Sequence, residues 1–194
     1  MPRCRSSSSR ALADWRCFAD GYAAVELAVN LPIAFLKDAA ARSGLRRRLP
    51  KHPAFHGMIV EVDSRELVRD LAVARDIARE LRAVHVGIAI DDAGAEWPQL
   101  LDMIDCPFAE IKVDRAFITG CADDRAKQHM CRQIVDLGRG YGMRTVAEGV
   151  ETRAEFLAVR GTGFDAAQGF LFAKPMGAQR FARTTPRGPI MRPH

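Results

Sequence analysis

The sequence predicts an α/β fold built on a parallel β-sheet. Short apolar runs, typical of buried strands, alternate with longer segments whose apolar residues recur at helical spacing. Strands and helices that alternate in this way form βαβ units, whose strands run parallel and are covered on both faces. About six such units fit in the 194 residues, whereas a closed barrel of eight units typically takes ~250 residues. We therefore expect either an incomplete barrel or an open sheet.

The strand and helix segments can be placed in order along the chain. Strands are predicted at residues 25–31, 57–63, 86–92, 109–114, 144–149 and 166–172, and helices at residues 32–49, 64–84, 123–142 and 153–159. In the second helical segment, apolar residues recur every three or four positions with charged residues between them, which is typical of a helix that packs on one face. We expect an irregular segment over residues 1–11, one domain over residues 12–183 and a disordered tail over residues 184–194.

The composition is that of a globular protein and argues against several classes. Hydrophobic residues make up 48% and charged residues 27%, and polar residues interrupt the longest apolar stretch, so we expect no membrane span. The five cysteines form no CxxC pair and their number is odd, which argues against a disulfide framework and fits a reducing cytoplasm. The net charge of +5 comes in part from arginines near both ends and at residues 46–48. We interpret these as solvated faces and expect no nucleic acid polymer as partner.

Polar side chains occur where most of the predicted strands end. They are Asn30, Glu61, the pair Asp91 and Asp92, Lys112 with Asp114, Glu148 and, within the last strand, Gln168. Because the carboxyl ends of parallel strands share one face, these residues converge on one rim. Each has an ordinary alternative, since an aspartate can cap a helix, Asn30 can belong to a turn and Lys112 can be a simple counter-charge. Their recurrence at the ends of five strands favours a shared site.

Four of the carboxylates in this set point to a metal-dependent reaction. Buried carboxylates repel one another and are costly to remove from water, so Glu61, Asp91, Asp92 and Glu148 need cations where they meet. Hard divalent ions such as Mg²⁺ or Mn²⁺ are the natural partners of oxygen ligands. Two such ions can hold a phosphodiester and activate a water molecule, while a lysine such as Lys112 stabilises developing charge. Phosphodiester hydrolysis is the reaction class that best uses this set.

Six motifs, in order along the chain, resemble those of a known family. They are VNLPIAFL (residues 29–36), VEVDS (60–64), IDDAGAEWPQL (90–100), IKVDRAFI (111–118), VAEGVET (146–152) and QGFLFAKP (168–175). The series resembles the EAL domain, the phosphodiesterase and receptor module of bacterial cyclic-di-GMP signalling. The last three motifs are the most specific, and they occur in the family's order.

The resemblance implies a TIM-barrel-like fold with the site at the carboxyl ends of the strands. It implies that Asn30, Glu61 and Asp91 hold one Mg²⁺ or Mn²⁺ ion and that Asp91, Asp92 and Glu148 hold a second. It gives catalytic roles to Lys112, which would position the attacking water, and to Glu151, which would hold the loop after the fifth strand by hydrogen bonding. It places Gln168 and Asp114 at the substrate. An ordinary alternative for Glu151 is a charge favoured by the dipole of the following helix.

Several departures from the EAL pattern concern activity. The Glu-Ala-Leu segment that names the family lies on its first strand, and no such segment precedes Asn30. We therefore expect an incomplete barrel that lacks the first strand and one metal ligand, so that the first cation site is weakened. A family glutamate aligns with Ser64, and the loop after the third strand carries Ala93, Ala95 and Glu96 where the family has phenylalanine, threonine and glycine. Replacing a buried phenylalanine with alanine weakens packing.

These features leave three functions open. We expect an EAL-type signalling domain that binds cyclic-di-GMP or a protein partner and hydrolyses the dinucleotide weakly or not at all. The first alternative is an active cyclic-di-GMP phosphodiesterase that produces linear pGpG. The second is a non-functional remnant of a longer EAL protein. Because family members often pair through the region near VAEGVET, a homodimer is also expected.

Overall fold

The computed structural model describes residues 10–15, 26–52, 55–94 and 106–184. Within this part of the chain, six strands form one sheet in which neighbouring strands are parallel and the strand order follows the sequence. The strands are β1 (Leu27–Asn30), β2 (Met58–Asp63), β3 (Val86–Ala93), β4 (Glu110–Val113), β5 (Arg144–Ala147) and β6 (Ala166–Ala167). The sheet curls into a half-barrel with helices packed against it, which confirms the predicted TIM-barrel-like α/β fold with an incomplete barrel.

Helices lie in the connections between the strands and after the last strand. They are α1 (Ile33–Lys37), α2 (Ala39–Arg48), α3 (Ser64–Arg69), α4 (Leu71–Arg82), α5 (Arg115–Ile118), α6 (Arg125–Tyr141), α7 (Arg153–Thr162) and α8 (Ala178–Thr184). Residues 10–15 are also helical, so helix begins before residue 12, where the predicted domain starts. The short helices α5 and α8 were not predicted from the sequence, because neither is long enough to display a clear period.

Two of the predicted helices are each divided by an aspartate. Asp38 has an extended backbone, and its carboxylate accepts hydrogen bonds from the amides of Ala40 and Ala41, so that it caps the start of α2. Asp70 separates α3 from α4 with backbone angles of φ −127° and ψ 32°. Apolar periodicity continues through both breaks, and for this reason the sequence pattern predicted single helices.

The last strand is much shorter than predicted. Only Ala166 and Ala167 pair with β5, and the chain then wraps around Val150. The amide of Val150 donates to the carbonyl of Gln168, and the amide of Leu171 donates back to the carbonyl of Val150. Gly169 lies so close that a Cβ there would come within 2.1 Å of the Val150 carbonyl oxygen. This wrapping ends the strand and turns Gln168 toward the carboxyl end of β5.

The core lies between the sheet and the helices, and two charged residues are buried on β4. Large side chains that are fully buried come from both kinds of element, for example Leu45, Leu67, Leu81, Ile88 and Ile111. All four residues of β4 are buried, including Glu110 and Lys112. Because alternate residues of a strand face opposite sides, Glu110 and Lys112 lie on one side of the sheet and their two apolar neighbours on the other. A charged side of β4 therefore faces the interior of the half-barrel.

Some expectations lie outside the described residues. These include residues 1–9 of the irregular segment predicted over residues 1–11, the start of the predicted first strand at residue 25, and the loop positions Ala95 and Glu96. Residues 185–194 of the tail predicted over residues 184–194 also lie outside, whereas Thr184 belongs to α8. Among the helices that are described, none combines the length and the apolar character needed to cross a membrane.

Candidate functional site

The carboxyl ends of five adjacent strands bring the predicted polar residues together. Asn30 at the end of β1 pairs with Glu61 on β2, and Asp63 on β2 pairs with Asp91 on β3. Lys112 follows on β4, and Glu148 comes directly after β5. Asn30, Glu61, Asp91 and Asp92 line one cavity of about 260 Å³. Residues that are up to 118 positions apart in the sequence thus share one rim, as the alternation of strands and helices predicted.

Lys112 lies at the centre of this rim. Its ammonium nitrogen Nζ is 2.7 Å from Oε1 of Glu61, 3.0 Å from Oδ1 of Asp91 and 2.5 Å from Oε1 of Glu148. The lysine side chain is only 5% exposed. Burial alone would lower the pKa of Lys112, but the hydrogen bonds and negative charges of Glu148 and Glu61 outweigh burial and raise the pKa above its ordinary value. The lysine is therefore fully charged at neutral pH and held by three carboxylates.

Asp91, Asp92 and Glu148 form a candidate metal centre. One carboxylate oxygen from each lies within 4.8 Å of the others. Burial raises the pKa of Asp92, and the negative charges of Asp91, Asp114 and Asp63 raise it further. A raised pKa of this kind is expected where carboxylates outnumber cations. Because the donors are carboxylate oxygens at close spacing, the residues fit a hard divalent cation such as Mg²⁺ or Mn²⁺.

Glu148 contacts both Lys112 and Gln168 beside the candidate metal centre. Burial raises its pKa, the bond from Lys112 lowers it, and the charges of Asp91 and Glu61 raise it, with a net increase. The side-chain amide of Gln168 donates from Nε2 to Oε1 of Glu148 over 2.6 Å. Gln168 thus orients the Glu148 carboxylate beside the candidate metal centre, and its expected contact with substrate stays a prediction.

A break in the strand register lets two consecutive aspartates serve one rim. Successive strand residues normally point to opposite faces. The register of β3 against β4 shifts between Ile90 and Ala93, and Asp92 adopts a left-handed backbone with φ 52°. The hydroxyl of Ser64, which is fully buried, donates to the carbonyl of Asp92 at 3.3 Å. Ser64, which aligns with a family glutamate, supports the strained backbone of a candidate ligand.

Asp114 has a local structural role. Its carboxylate accepts a hydrogen bond from the amide of Ala116 at 2.7 Å and so caps α5. Its charge also contributes to the raised pKa of Asp92. The expected contact of Asp114 with substrate stays a prediction.

Hydrogen bonds to Glu155 hold the loop between β5 and α7, residues 148–152. The residue expected from the sequence for this role was Glu151. Oε1 of Glu155 accepts from the amide of Gly120 at 3.0 Å, and Oε2 accepts from the amides of Glu151 and Thr152 at 3.0 and 2.9 Å. Glu155 is 5% exposed, whereas Glu151 is exposed. The sequence carried the signal for Glu155, since Thr152 and Glu155 have the spacing of a capping box, and that box is formed.

A second cavity of about 440 Å³ adjoins this loop. Its lining includes Arg115, Glu151, Gln168, Phe170 and Lys174. Glu151 therefore faces a space beside Gln168, and its catalytic role stays a prediction. Arg115 directly follows Asp114 in the IKVDRAFI motif, and its position in this lining was not predicted from the sequence.

Comparison with known proteins defines the class to which this half-barrel belongs. The family model described as "EAL domain" matches residues 4–175. The chain therefore belongs to the EAL domain family, which confirms the resemblance drawn from its motifs.

Individual relatives agree with this assignment. The bifunctional diguanylate cyclase/cyclic di-GMP phosphodiesterase MucR of Pseudomonas aeruginosa is 35% identical over 161 residues, which are 82% of this chain and 24% of MucR. The cyclic di-GMP phosphodiesterase RocR of the same organism is 28% identical over 178 residues, which are 86% of this chain and 45% of RocR. The chain thus spans about a quarter of the length of the first relative and less than half of the second.

Solved structures share the fold. The phosphodiesterase PaMucR, in a complex with c-di-GMP, superposes with a TM-score of 0.81 at 34% identity over 90% of this chain and 71% of that chain. Klebsiella pneumoniae BlrP1, in a complex with manganese and cyclic di-GMP, superposes with a TM-score of 0.77 at 28% identity over 89% of this chain and 44% of that chain.

Proposed function

We propose that this EAL domain binds cyclic-di-GMP together with a divalent cation at the rim of the half-barrel, and that it hydrolyses the dinucleotide weakly or not at all. The observation that carries the proposal is the arrangement around Lys112, where one buried ammonium faces the carboxylates of Glu61, Asp91 and Glu148 while Asp92 lies close by. A site with this excess of negative charge favours a cation, and a cation next to a lysine favours a phosphate.

Each residue of the rim has a distinct part in this proposal. Asp91, Asp92 and Glu148 would hold Mg²⁺ or Mn²⁺, which when bound lowers the pKa of a water ligand and offsets phosphate charge. Asn30 and Glu61 would contribute with Asp91 to a second, weaker cation site. Lys112 keeps a fixed positive charge beside the phosphodiester and, in turnover, orients the water.

Weak hydrolysis follows from the ligand count. The family's Glu-Ala-Leu glutamate would add a carboxylate beside Asn30, and this chain carries no Glu-Ala-Leu segment. Two-metal hydrolysis needs both ions to be held firmly, because each stabilises one of the two oxygens of the displacement. With one ligand fewer, we expect a cation to occupy the first site poorly. The domain would then retain cyclic-di-GMP binding while its hydrolysis is weak.

An active phosphodiesterase is the second candidate. The observation that favours it is the close arrangement of Asp91, Asp92 and Glu148 beside Lys112, in which the hydrogen bond from Gln168 already orients Glu148. This alternative predicts steady release of linear pGpG in the presence of Mn²⁺.

One experiment separates these candidates. The full chain is titrated with cyclic-di-GMP by calorimetry with Mn²⁺ and again with a chelator, and the mixture is then analysed for pGpG by chromatography. We expect Mn²⁺-dependent binding with little product, and we expect Glu148→Gln to lose the Mn²⁺-dependent part. Rapid pGpG formation that Glu148→Gln abolishes would favour the active enzyme. An absence of binding under all conditions would overturn the proposal and favour a remnant without nucleotide function.

We further propose that two copies of the chain pair through an apolar patch beside the 148–152 loop. The patch consists of Phe170, Leu171 and Phe172, which are 57%, 38% and 52% exposed, together with Leu157 on α7, which is 53% exposed. The ring of Phe172 packs against Phe156, the residue before Leu157. Large exposed apolar side chains in one region of a surface are typical of a contact with another protein. Sedimentation should give a dimer that Leu157→Glu converts to monomer, and a chain that is monomeric at all concentrations would contradict this proposal.

A further inference from the structure

The segments that follow β4 and β5 run side by side and are joined at three points. The first is the ion pair between Lys112 and Glu148 at the rim itself. The second is the close approach of Gly149 to Arg115, where a Cβ added to the glycine would lie 2.4 Å from the arginine Cβ. The third is the carboxylate of Glu155, which accepts the amide of Gly120. The loop that carries Glu148 is therefore set against the segment that follows Lys112.

The Gly120 end of this connection is a fixed point. The carbonyl of Thr119 accepts from Nζ of Lys127 at 2.7 Å, and the carbonyls of Cys121 and Ala122 accept from Nε2 of Gln128 at 2.8 and 2.9 Å. Both donors lie on α6, which packs on β4 and β5. The turn that contains Gly120 is thus tied to a long helix of the scaffold by contacts that do not involve the loop.

The other end of the connection is the loop itself. Glu155 accepts the amides of Glu151 and Thr152 with Oε2 while Oε1 is used for Gly120, so that its two oxygens join two separate segments. Only a carboxylate can do this, because both oxygens must accept. Burial opposes the ionised form of Glu155, but these three amides outweigh burial and lower its pKa below the ordinary value.

We propose that Glu155 is a positioning residue for the candidate metal centre: by fastening the 148–152 loop to the turn at Gly120, it fixes Glu148 relative to Lys112 and Asp91. This inference rests on the proposed function. It extends that function to a residue that contacts neither the cation nor the dinucleotide. Groups that orient a metal ligand without touching the metal commonly change metal affinity by about 10–100-fold.

The test compares two variants of the same helix end. Glu155→Gln has a single acceptor oxygen, so it keeps either Gly120 or the pair Glu151 and Thr152, and cannot keep both. Thr152→Ala removes the hydroxyl that accepts the amide of Glu155 but leaves all three amides on the Glu155 carboxylate. The two substitutions weaken the same capping box, whereas only the first separates the loop from Gly120.

The readouts are Mn²⁺ affinity of the full chain by calorimetry, the unfolding temperature, and hydrogen exchange of the Gly120 amide. We expect Glu155→Gln to weaken Mn²⁺ binding by about tenfold or more and to speed exchange at Gly120. We expect Thr152→Ala to lower the unfolding temperature while Mn²⁺ affinity stays unchanged. Equal effects of the two variants on Mn²⁺ affinity, or no effect of Glu155→Gln, would overturn this inference and leave the proposed function standing. If the unaltered chain itself fails to bind Mn²⁺, the proposed function fails and the inference falls with it.

Discussion

At each end of strands β4 and β5, one basic side chain meets several carboxylates, but the two ends differ in the number of carboxylates and in their exposure to water. At the amino ends, Arg144 of β5 lies between Glu26 and Glu110, and its Nε donates to Oε2 of Glu110 at 2.6 Å. One cation meets two carboxylates there, and Glu26 and Arg144 are each nearly half exposed. Water can therefore compensate for the remaining charge at this end.

The carboxyl ends are not balanced in this way. Lys112 is the basic side chain that meets Glu61, Asp91 and Glu148, and all four side chains are less than a fifth exposed. Asp92 adds a further carboxylate within reach of Asp91 and Glu148. An excess of buried negative charge costs stability unless a cation offsets it. The cation-binding rim therefore differs from the amino ends in the buried negative charge that its own residues leave uncompensated.

The largest expected effect is that of Lys112→Met. This change leaves three buried carboxylates without their ammonium, and removing one partner from a buried ion pair costs ~3–5 kcal/mol. We expect the metal-free variant to lose stability of this order in urea unfolding and to regain part of it on addition of Mn²⁺. A variant whose stability is unaffected in the absence of metal would contradict the charge imbalance at the rim.

The next effect concerns two glycines that flank β5. Gly149 has φ 70°, and a Cβ there would lie 2.4 Å from the Arg115 Cβ, whereas Gly142 has φ 67° with open space around it. Alanine at Gly142 should cost only the left-handed backbone, roughly 1–2 kcal/mol. Alanine at Gly149 should cost that amount and a further ~1–3 kcal/mol for overpacking.

Urea unfolding of the two glycine variants measures this difference, and Mn²⁺ titration shows whether Glu148 has moved. We expect Gly149→Ala alone to weaken Mn²⁺ binding, because the glycine adjoins Glu148 at the rim. Equal losses of stability would mean that Arg115 yields easily and that the contact does not fix the loop.

A smaller effect is expected at the amino end. Arg144→Met leaves Glu110 buried without its partner, and an unpaired buried acceptor costs ~1–3 kcal/mol. Because this end has no site for a divalent cation in the described residues, we expect Mn²⁺ to give Arg144→Met no more stabilisation than the unaltered chain. A specific rescue of Arg144→Met by Mn²⁺ would remove the distinction between the two ends.

The smallest effect is a pH dependence at Asp165, also on the amino side of β5. Hydrogen bonds from the amide and the hydroxyl of Thr145, at 2.7 and 2.8 Å, lower the pKa of Asp165. A carboxyl group with a lowered folded pKa stabilises the protein above its unfolded pKa, and this stability is lost as the pH falls through the folded pKa. Asp165→Asn should therefore cost well under ~1 kcal/mol at neutral pH, since the side chain is exposed. The difference in urea midpoint between the variant and the unaltered chain should shrink in acid, and a constant difference would contradict this explanation.

The sequence could predict the rim at the carboxyl ends of the strands but not the charged cluster of Glu26, Glu110 and Arg144 at the amino ends. Asn30, Glu61, Asp91, Lys112 and Glu148 each stand at the end of an apolar run, and parallel strands place such ends together. Nothing in the apolar pattern marks Glu26 and Arg144 as neighbours, because they lie at the amino ends of β1 and β5, which are not adjacent in the sheet. The sequence also could not predict the register shift at Asp92, since that depends on pairing with β4.

Loop anchors were the least predictable part of the site. The expectation placed the hydrogen bonds of the 148–152 loop on Glu151, whereas Glu155 makes them. The start of this helix was predicted at residue 153, where α7 begins, but apolar spacing does not show which nearby glutamate accepts the amides of the loop. The capping-box spacing of Thr152 and Glu155 would have identified Glu155.

The central claim is that the rim carries negative charge that a divalent cation must offset, and Mn²⁺-dependent stabilisation tests it most directly. Urea unfolding of the unaltered chain and of Glu148→Gln is measured with saturating Mn²⁺ and with a chelator. We expect Mn²⁺ to stabilise the unaltered chain and to leave Glu148→Gln nearly unchanged, because a ligand that binds only the folded state adds stability that grows with the logarithm of its concentration relative to its Kd. An equal response of the two proteins to Mn²⁺, or no response of either, would contradict it.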